Sequence, residues 1–203
     1  MKRRDFLSLC VLAGTATPQS LIEAQETLVT PSPAKPDSIK SEENVEKTDV
    51  MIVTPAQAKV YSQGLGEAHI LVDGERSGGA WWLGEFRQDP GFKTPLHFHY
   101  QQNEQFYVLD GVLSVYVEGK WTDLEAGTFA TVPHGIHHAQ GNLGTKPVRF
   151  LGSGNPAGFE HFFAELDKLT ARIRPSDPQF GAEVAKILVR FDTKPLGPAP
   201  PRT

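Results

Sequence analysis

Residues 95 to 111 read PLHFHYQQNEQFYVLDG, and the fold of the chain is decided by how this stretch is read. Side chains on a β-strand alternate between faces, so His97 and His99 share one face while Phe98 takes the other. Two imidazoles aimed at one point become chemically interesting when a carboxylate follows, and Glu104 follows on the next apolar run. Counting by twos from Glu104 places Phe106 and Val108 on its interior face and Tyr107 and Leu109 outside. Asp110-Gly111 then closes the run with a strong hairpin signal, since "VLSVY" resumes directly after it.

Outward from this stretch the same grammar repeats. Short apolar runs alternate with turn residues: "MIVT", "AHILV" before Asp73-Gly74, "GAWWLGEF" before Asp89-Pro90-Gly91, and "VLSVYV" before Glu118-Gly119. Ala126-Gly127 marks a further turn, and Pro133 with Gly135 interrupts the run after "TFATV". Such spacing belongs to a sandwich or barrel, and it predicts an antiparallel meander from Ala80 to Ser153. Phe129 and Thr131 are expected to line the wall opposite Phe106 and Val108, and together these four make either an apolar small-molecule pocket or plain barrel-core packing.

After Gly158 the period changes. Phe159, Phe162, Phe163, Leu166 and Leu169 fall on one helical face, and Phe180, Val184, Ile187, Leu188 and Phe191 fall on one face of a second helix beginning near Asp177-Pro178. Both stripes are assigned to packing against the barrel or a partner subunit. The following "KPLGPAPPRT" is expected to be extended and ordered by docking.

The chain has 203 residues, enough for one domain with a sizeable core. A net charge of −4 leaves no basic surface for phosphate backbones, which argues against a nucleic-acid partner. The opening "MKRRDFLSLCVLAGTATPQS" has a basic front, an apolar run and then small residues, the layout of an export signal cleaved after Ala16 or Ala24. The run is too short to span a bilayer, so no stable membrane anchor is expected after processing. Arg3, Arg4, Phe6 and Leu7 resemble a twin-arginine signal, which implies a periplasmic or secreted protein that folds and loads its metal before export. The single cysteine, Cys10, lies inside this segment, so the mature chain carries no disulfide and no thiolate ligand. The organisation expected is therefore an export signal over 1–24, a disordered Pro/Ser/Lys/Glu-rich linker over 25–49, a barrel over 50–158, and helices with an extended tail over 159–203.

The opening stretch joins a second one, "GTFATVPHGIHHAQGN", Gly127 to Asn142. The first segment runs Gly91, five residues, His97, one, His99, four, Glu104, six, Gly111; the second runs Gly127, five, Pro133, one, Gly135, two, His138, three, Asn142. This resembles the two motifs of the cupin superfamily, with a short intermotif spacing of fifteen residues. The resemblance implies a mainly β fold, a double-stranded β-helix or cupin jelly-roll barrel with C-terminal helices, holding one divalent metal by His97, His99, Glu104 and His138. Imidazole and carboxylate donors suit Fe, Mn, Ni, Co, Cu or Zn, and four protein ligands leave coordination positions open. Alternation turns His137 away from His138, so His134 and His137 are expected at the surface or behind the ligands, and His69 and His161 are expected to be ordinary packing or surface histidines.

"HFHYQQNEQFYVLDG", "VPHGIHH" and "NPAGFEHFFAEL" resemble single-barrel proteins related to quercetin 2,3-dioxygenases. That implies a dioxygenase acting on a small enolic or phenolic, flavonol-like substrate with O2, in which Glu104 is both ligand and acceptor of the substrate proton. A metal-cupin isomerase or decarboxylase, and a non-catalytic small-molecule-binding cupin, stay open as alternatives. The helices after Gly158 offer a surface for a homodimer.

Overall fold

The computed structural model describes residues 50–202; the export signal and linker expected over 1–24 and 25–49 lie outside them. Eleven strands form two sheets. In chain order the strands are β1 (Lys59–Ser62), β2 (Gly66–Val72), β3 (Trp82–Gln88), β4 (Leu96–His99), β5 (Asn103–Asp110), β6 (Val112–Val117), β7 (Lys120–Glu125), β8 (Phe129–Val132), β9 (His138–Gly141), β10 (Val148–Asn155) and β11 (Thr193–Gly197). Helices α1 (His161–Thr170) and α2 (Phe180–Leu188) stand between the last two strands. One sheet has the order β1-β2-β3-β10-β5-β8 and the other β11-β4-β9-β6-β7, with antiparallel neighbours throughout. The fold is therefore mainly β, a double-stranded β-helix with C-terminal helices.

Period-two burial explains why these strands face as they do. In β3, Trp82, Gly84, Phe86 and Gln88 are buried while Arg87 is exposed, and in β5 the buried set is Glu104, Phe106 and Val108. "MIVT" forms no strand: Pro55, which has no N–H to give a ladder, opens a short 3-10 turn over Pro55–Gln57, and β1 begins after it.

The expected meander is corrected in the same way. Only β1-β2-β3 and β6-β7 join sequential neighbours; β3 and β5 both pair with β10, and β6 pairs with β9. Glu118 and Gly119, at φ of 50° and 90°, make the two-residue turn between β6 and β7, whose mirror-type backbone matches strand twist. Asp110-Gly111, in contrast, carries the chain from one sheet to the other. At Gly111 two things call for glycine, a φ of 77° and proximity, since a Cβ there would lie 2.7 Å from the Pro147 carbonyl oxygen. The dipeptide signals a reversal, and pairing partners are chosen by burial across the barrel.

The aromatic stripe of α1 closes one side of the core. Phe163 approaches Trp82 at 5.8 Å and Phe86 at 5.2 Å between ring centroids, and Phe159 stacks on Phe162 at 5.1 Å. Edge and offset contacts of this kind contribute about 0.5–1.5 kcal/mol per pair beyond the area they bury. Leu166 and Leu169 complete the buried face of α1; Val184, Ile187 and Leu188 form that of α2, with Phe180 and Phe191 partly buried beside them. No helix among the described residues is long and apolar enough to cross a membrane.

Candidate metal centre

β4 supplies His97 and His99, β5 supplies Glu104, and β9 supplies His138. His97 and His138 are direct partners across β4 and β9, which brings their rings to 4.2 Å. One nitrogen or oxygen atom from each of the four residues lies within 4.8 Å of the others, and all four side chains are buried. The four residues singled out in the sequence therefore converge.

The hydrogen bonds behind the rings settle which nitrogens face the centre. His97 Nδ1 donates to the Pro95 carbonyl at 2.8 Å, and His138 Nδ1 donates to the Ile136 carbonyl at 2.9 Å. His99 Nδ1 meets Thr193 Oγ1 at 3.0 Å; that hydroxyl gives its own proton to the Phe191 carbonyl at 2.8 Å, so it accepts from His99. Each Nδ1 is thus a donor, leaving every Nε2 for the centre. His99 Nε2 is buried with no hydrogen-bond partner, which is costly in a protein interior unless something else binds there. The donor set and this orphaned nitrogen both fit a metal ion, with carbonyl and hydroxyl partners orienting the ligands from behind.

Charge is distributed to suit. Burial disfavours protonation of His97, His138 and His99 add repulsion, and its pKa falls to about 3, so it is neutral and able to ligate at pH 7. Burial alone would raise the Glu104 carboxyl, but the hydrogen bond from His138 and the approach of His99 outweigh it and hold Glu104 below the usual carboxylate range. His138 is pulled down by burial and up more strongly by Glu104. Its Nε2 lies 2.9 Å from Glu104 Oε2 while its Nδ1 already donates to the Ile136 carbonyl, so the two are hydrogen-bonded across the centre. To hold a metal, His138 would need its Nε2 free of a proton, which would couple binding to proton release.

His97 and Glu104 also line a cavity of about 420 Å³, within the range of small-molecule sites. Phe106 lines it as expected. Val108 is fully buried but is not among the lining residues. Phe129 and Thr131 are exposed and stand outside it, a correction with a simple cause. Cross-strand partners share a face, and Glu104 and Phe106 pair with Val132 and Ala130, so those two are the inward residues of β8. The remaining wall comes from Phe86, Phe92 and Phe150 of the barrel portion and Phe159, Phe163, Leu166, Phe180 and Val184 around the helices. His134 and His137 are exposed, the first against Asn103 and the second stacked on Phe98 at 5.4 Å. His69 pairs with Glu67, and His161 is at the surface.

Thr193 is the residue that sequence reasoning missed. It stands just before the tail KPLGPAPPRT, between the second helical stripe and that tail, and no role is expected of it from the sequence; β11 pairs with β4 and sets Thr193 opposite His99. Thr193→Val keeps the shape and removes the acceptor, leaving the His99 Nδ1–H unpaired and its ring less constrained. Metal affinity should fall about 10- to 100-fold, read by competition with a chelator, with the fold unchanged by circular dichroism. Wild-type affinity in this variant would dismiss Thr193 as a positioning residue.

Comparison with known proteins agrees with this architecture. Residues 84–153 match the family model of the Cupin domain. Quercetin 2,3-dioxygenase of Bacillus subtilis (strain 168) is 32% identical over 84 residues, covering 41% of this chain and 25% of that protein. The matched stretch thus spans a quarter of that curated relative's length. Among solved structures, KdgF from Halomonas sp. aligns with a TM-score of 0.49 and 16% identity over 56% of this chain and 99% of that one. The polyketide cyclase RemF from Streptomyces resistomycificus aligns with a TM-score of 0.47 and 23% identity, covering 53% and 80%. Over residues 84–153 the chain thus resembles a cupin domain, within a double-stranded β-helix whose three buried histidines and glutamate could hold one metal ion.

Proposed function

We propose that this protein is a metal-dependent dioxygenase acting on a small, largely apolar enol or phenol with O2. The observation that carries the reading is the junction of two environments: His97 and Glu104 lie in the wall of a cavity otherwise dominated by phenylalanines. A divalent transition metal, when bound, would supply open positions for substrate and O2 and the redox chemistry that joins them. The chain's own residues do the rest. The aromatic wall excludes water and receives a planar ring face-on or edge-on. Glu104 reaches the cavity and is held as a carboxylate, so it can accept the proton that an enol or phenol loses on binding. Among the described residues Lys93, at the exposed rim, is the one Lys or Arg lining the cavity, which suits an apolar substrate better than a polyanionic one.

The test is oxygen-electrode screening of metal-loaded protein, quantified by elemental analysis, against flavonols and other apolar enols. Oxygen uptake in proportion to substrate consumed is expected. Turnover that persists anaerobically would replace this reading with isomerisation or decarboxylation, and binding without turnover would replace it with a binding protein.

The proposal includes export through the twin-arginine-like signal. Lysine keeps the charge but lacks the guanidinium geometry of arginine, so replacing both Arg3 and Arg4 with lysine should leave uncleaved precursor in the cytoplasm. Normal periplasmic appearance would redirect the protein to another route.

A further inference from the structure

Two buried amides interrupt the apolar wall of the cavity. Gln63 and Gln140 are 5% and 7% exposed, both line it, and Gln63 Nε2 and Gln140 Oε1 have no hydrogen-bond partner. Burying a polar group without a partner is unfavourable, so two such groups on residues that line one cavity ask for an explanation. Gln88 and Gln102 also carry unpaired amide atoms, but neither lines the cavity.

Both backbones are firmly placed. Gln140 pairs with Val115 of β6, its N–H donates to Thr94 Oγ1 at 3.0 Å, and its carbonyl accepts from the Thr94 N–H at 2.9 Å. It lies two residues beyond His138 on β9, on the same face and therefore roughly 6.5–7 Å farther along the strand. Gln63 ends the β1 segment: its N–H donates to the Gly66 carbonyl at 2.9 Å, and Ser62 before it donates its N–H to Asp167 of α1 at 2.8 Å. One amide is thus carried by the sheet that holds His97, His99 and His138, and the other by the junction of the sheet that holds Glu104 with α1. An amide can present its oxygen or its NH2 after a flip, so each position can donate or accept.

We infer that Gln63 and Gln140 are ligand-contacting residues that require a second polar oxygen on the substrate, remote from the enol or phenol oxygen at the metal end. This rests on the proposed function for the identity of that first oxygen. It deepens it by specifying an amphiphilic aromatic: a planar apolar body with a hydroxyl or carbonyl at its distal part. Specificity follows from the buried amides. A substrate lacking the distal oxygen leaves them unpaired, and such sites discriminate more sharply than apolar pockets do.

The experiment measures equilibrium binding, under anaerobic conditions, of 3-hydroxyflavone and of analogues carrying one further hydroxyl on the ring distant from the enol. It uses metal-loaded wild type, Gln63→Met and Gln140→Met, since methionine closely matches the length and volume of glutamine without its polar atoms. Wild type should bind at least one hydroxylated analogue about 5- to 10-fold more tightly than 3-hydroxyflavone, and at least one variant should lose that preference while binding 3-hydroxyflavone within about two-fold of wild type. Metal content should stay at the wild-type level. The ligand-free variants should melt at or above the wild-type temperature, because an unpaired buried amide has been removed.

Equal weakening of both probes, or a clear fall in melting temperature, would show a structural role and overturn the inference. So would an unchanged preference in both variants, or a wild type that binds 3-hydroxyflavone as tightly as every analogue; in these cases the proposed function stands. Failure of wild type to bind any probe, with metal present, overturns the flavonol-like reading and the inference together.

Discussion

Glu104→Gln is expected to retain part of the metal and to lose turnover per bound metal by about 10²- to 10⁴-fold, the usual cost of removing a general base. Glutamine preserves length and one oxygen but has neither the negative charge nor a basic site. In the protein Glu104 is held below the ordinary carboxylate range by His138 and His99 despite its burial. A group so held is a weak base in the metal-free protein. A metal held there would change that setting, because His138 Nε2 would have to give up its contact with Glu104 to serve as a ligand. Rates have to be expressed per metal, because a neutral amide is also a poorer ligand. Turnover per metal within a few-fold of wild type would remove Glu104 from the proton-accepting role while leaving its place at the centre intact.

His97→Ala and His138→Ala should both release most of the metal, each by more than the roughly 10- to 100-fold that a partner behind a ligand typically contributes. Their effects on stability should diverge. His97 is buried and neutral, its main polar contact being the Pro95 carbonyl, so its loss leaves a cavity in a barrel specified elsewhere. His138 is the close partner of Glu104, 2.9 Å away, and removing one member of a buried pair commonly costs about 3–5 kcal/mol. Metal analysis of both variants alongside urea unfolding of the metal-free proteins separates the two effects. Metal content near wild type in either variant would remove that histidine from the ligand set. Equal stabilities would show that the Glu104-His138 pair contributes nothing specific to the metal-free fold.

What could be read from the text alone followed locality. His97, His99 and Glu104 lie within eight consecutive residues, and strand alternation places the first two together without knowledge of anything distant. The helical stripes after Gly158 are equally legible, because four apolar positions on each helix recur at a spacing that only one face can satisfy, with Phe159 just before α1 and Phe191 just after α2. Phe129 and Thr131 failed for the opposite reason. The short run Phe129–Val132 has apolar residues on both faces, so its orientation depends on register with β5, which is a property of two strands. Asp110-Gly111 was legible as a reversal and illegible as a choice of sheet. Thr193 and Gln63 carry no local mark at all: one sits just before a proline-rich segment and the other follows a short strand, and each matters only through what the fold brings against it.

The contact between Thr193 and His99 joins residues 94 positions apart, and this has a consequence for how the protein is made. A nascent chain halted after His138 but before Thr193 already contains all four donors. It lacks the hydroxyl that fixes the His99 ring, and it lacks Asp192, whose carboxylate accepts the Gln101 and Gln102 N–H groups at 2.9 Å just beyond His99. If the centre holds a metal, full affinity is expected only once β11 has emerged and docked, so ribosome-bound intermediates should acquire metal weakly and completed chains tightly.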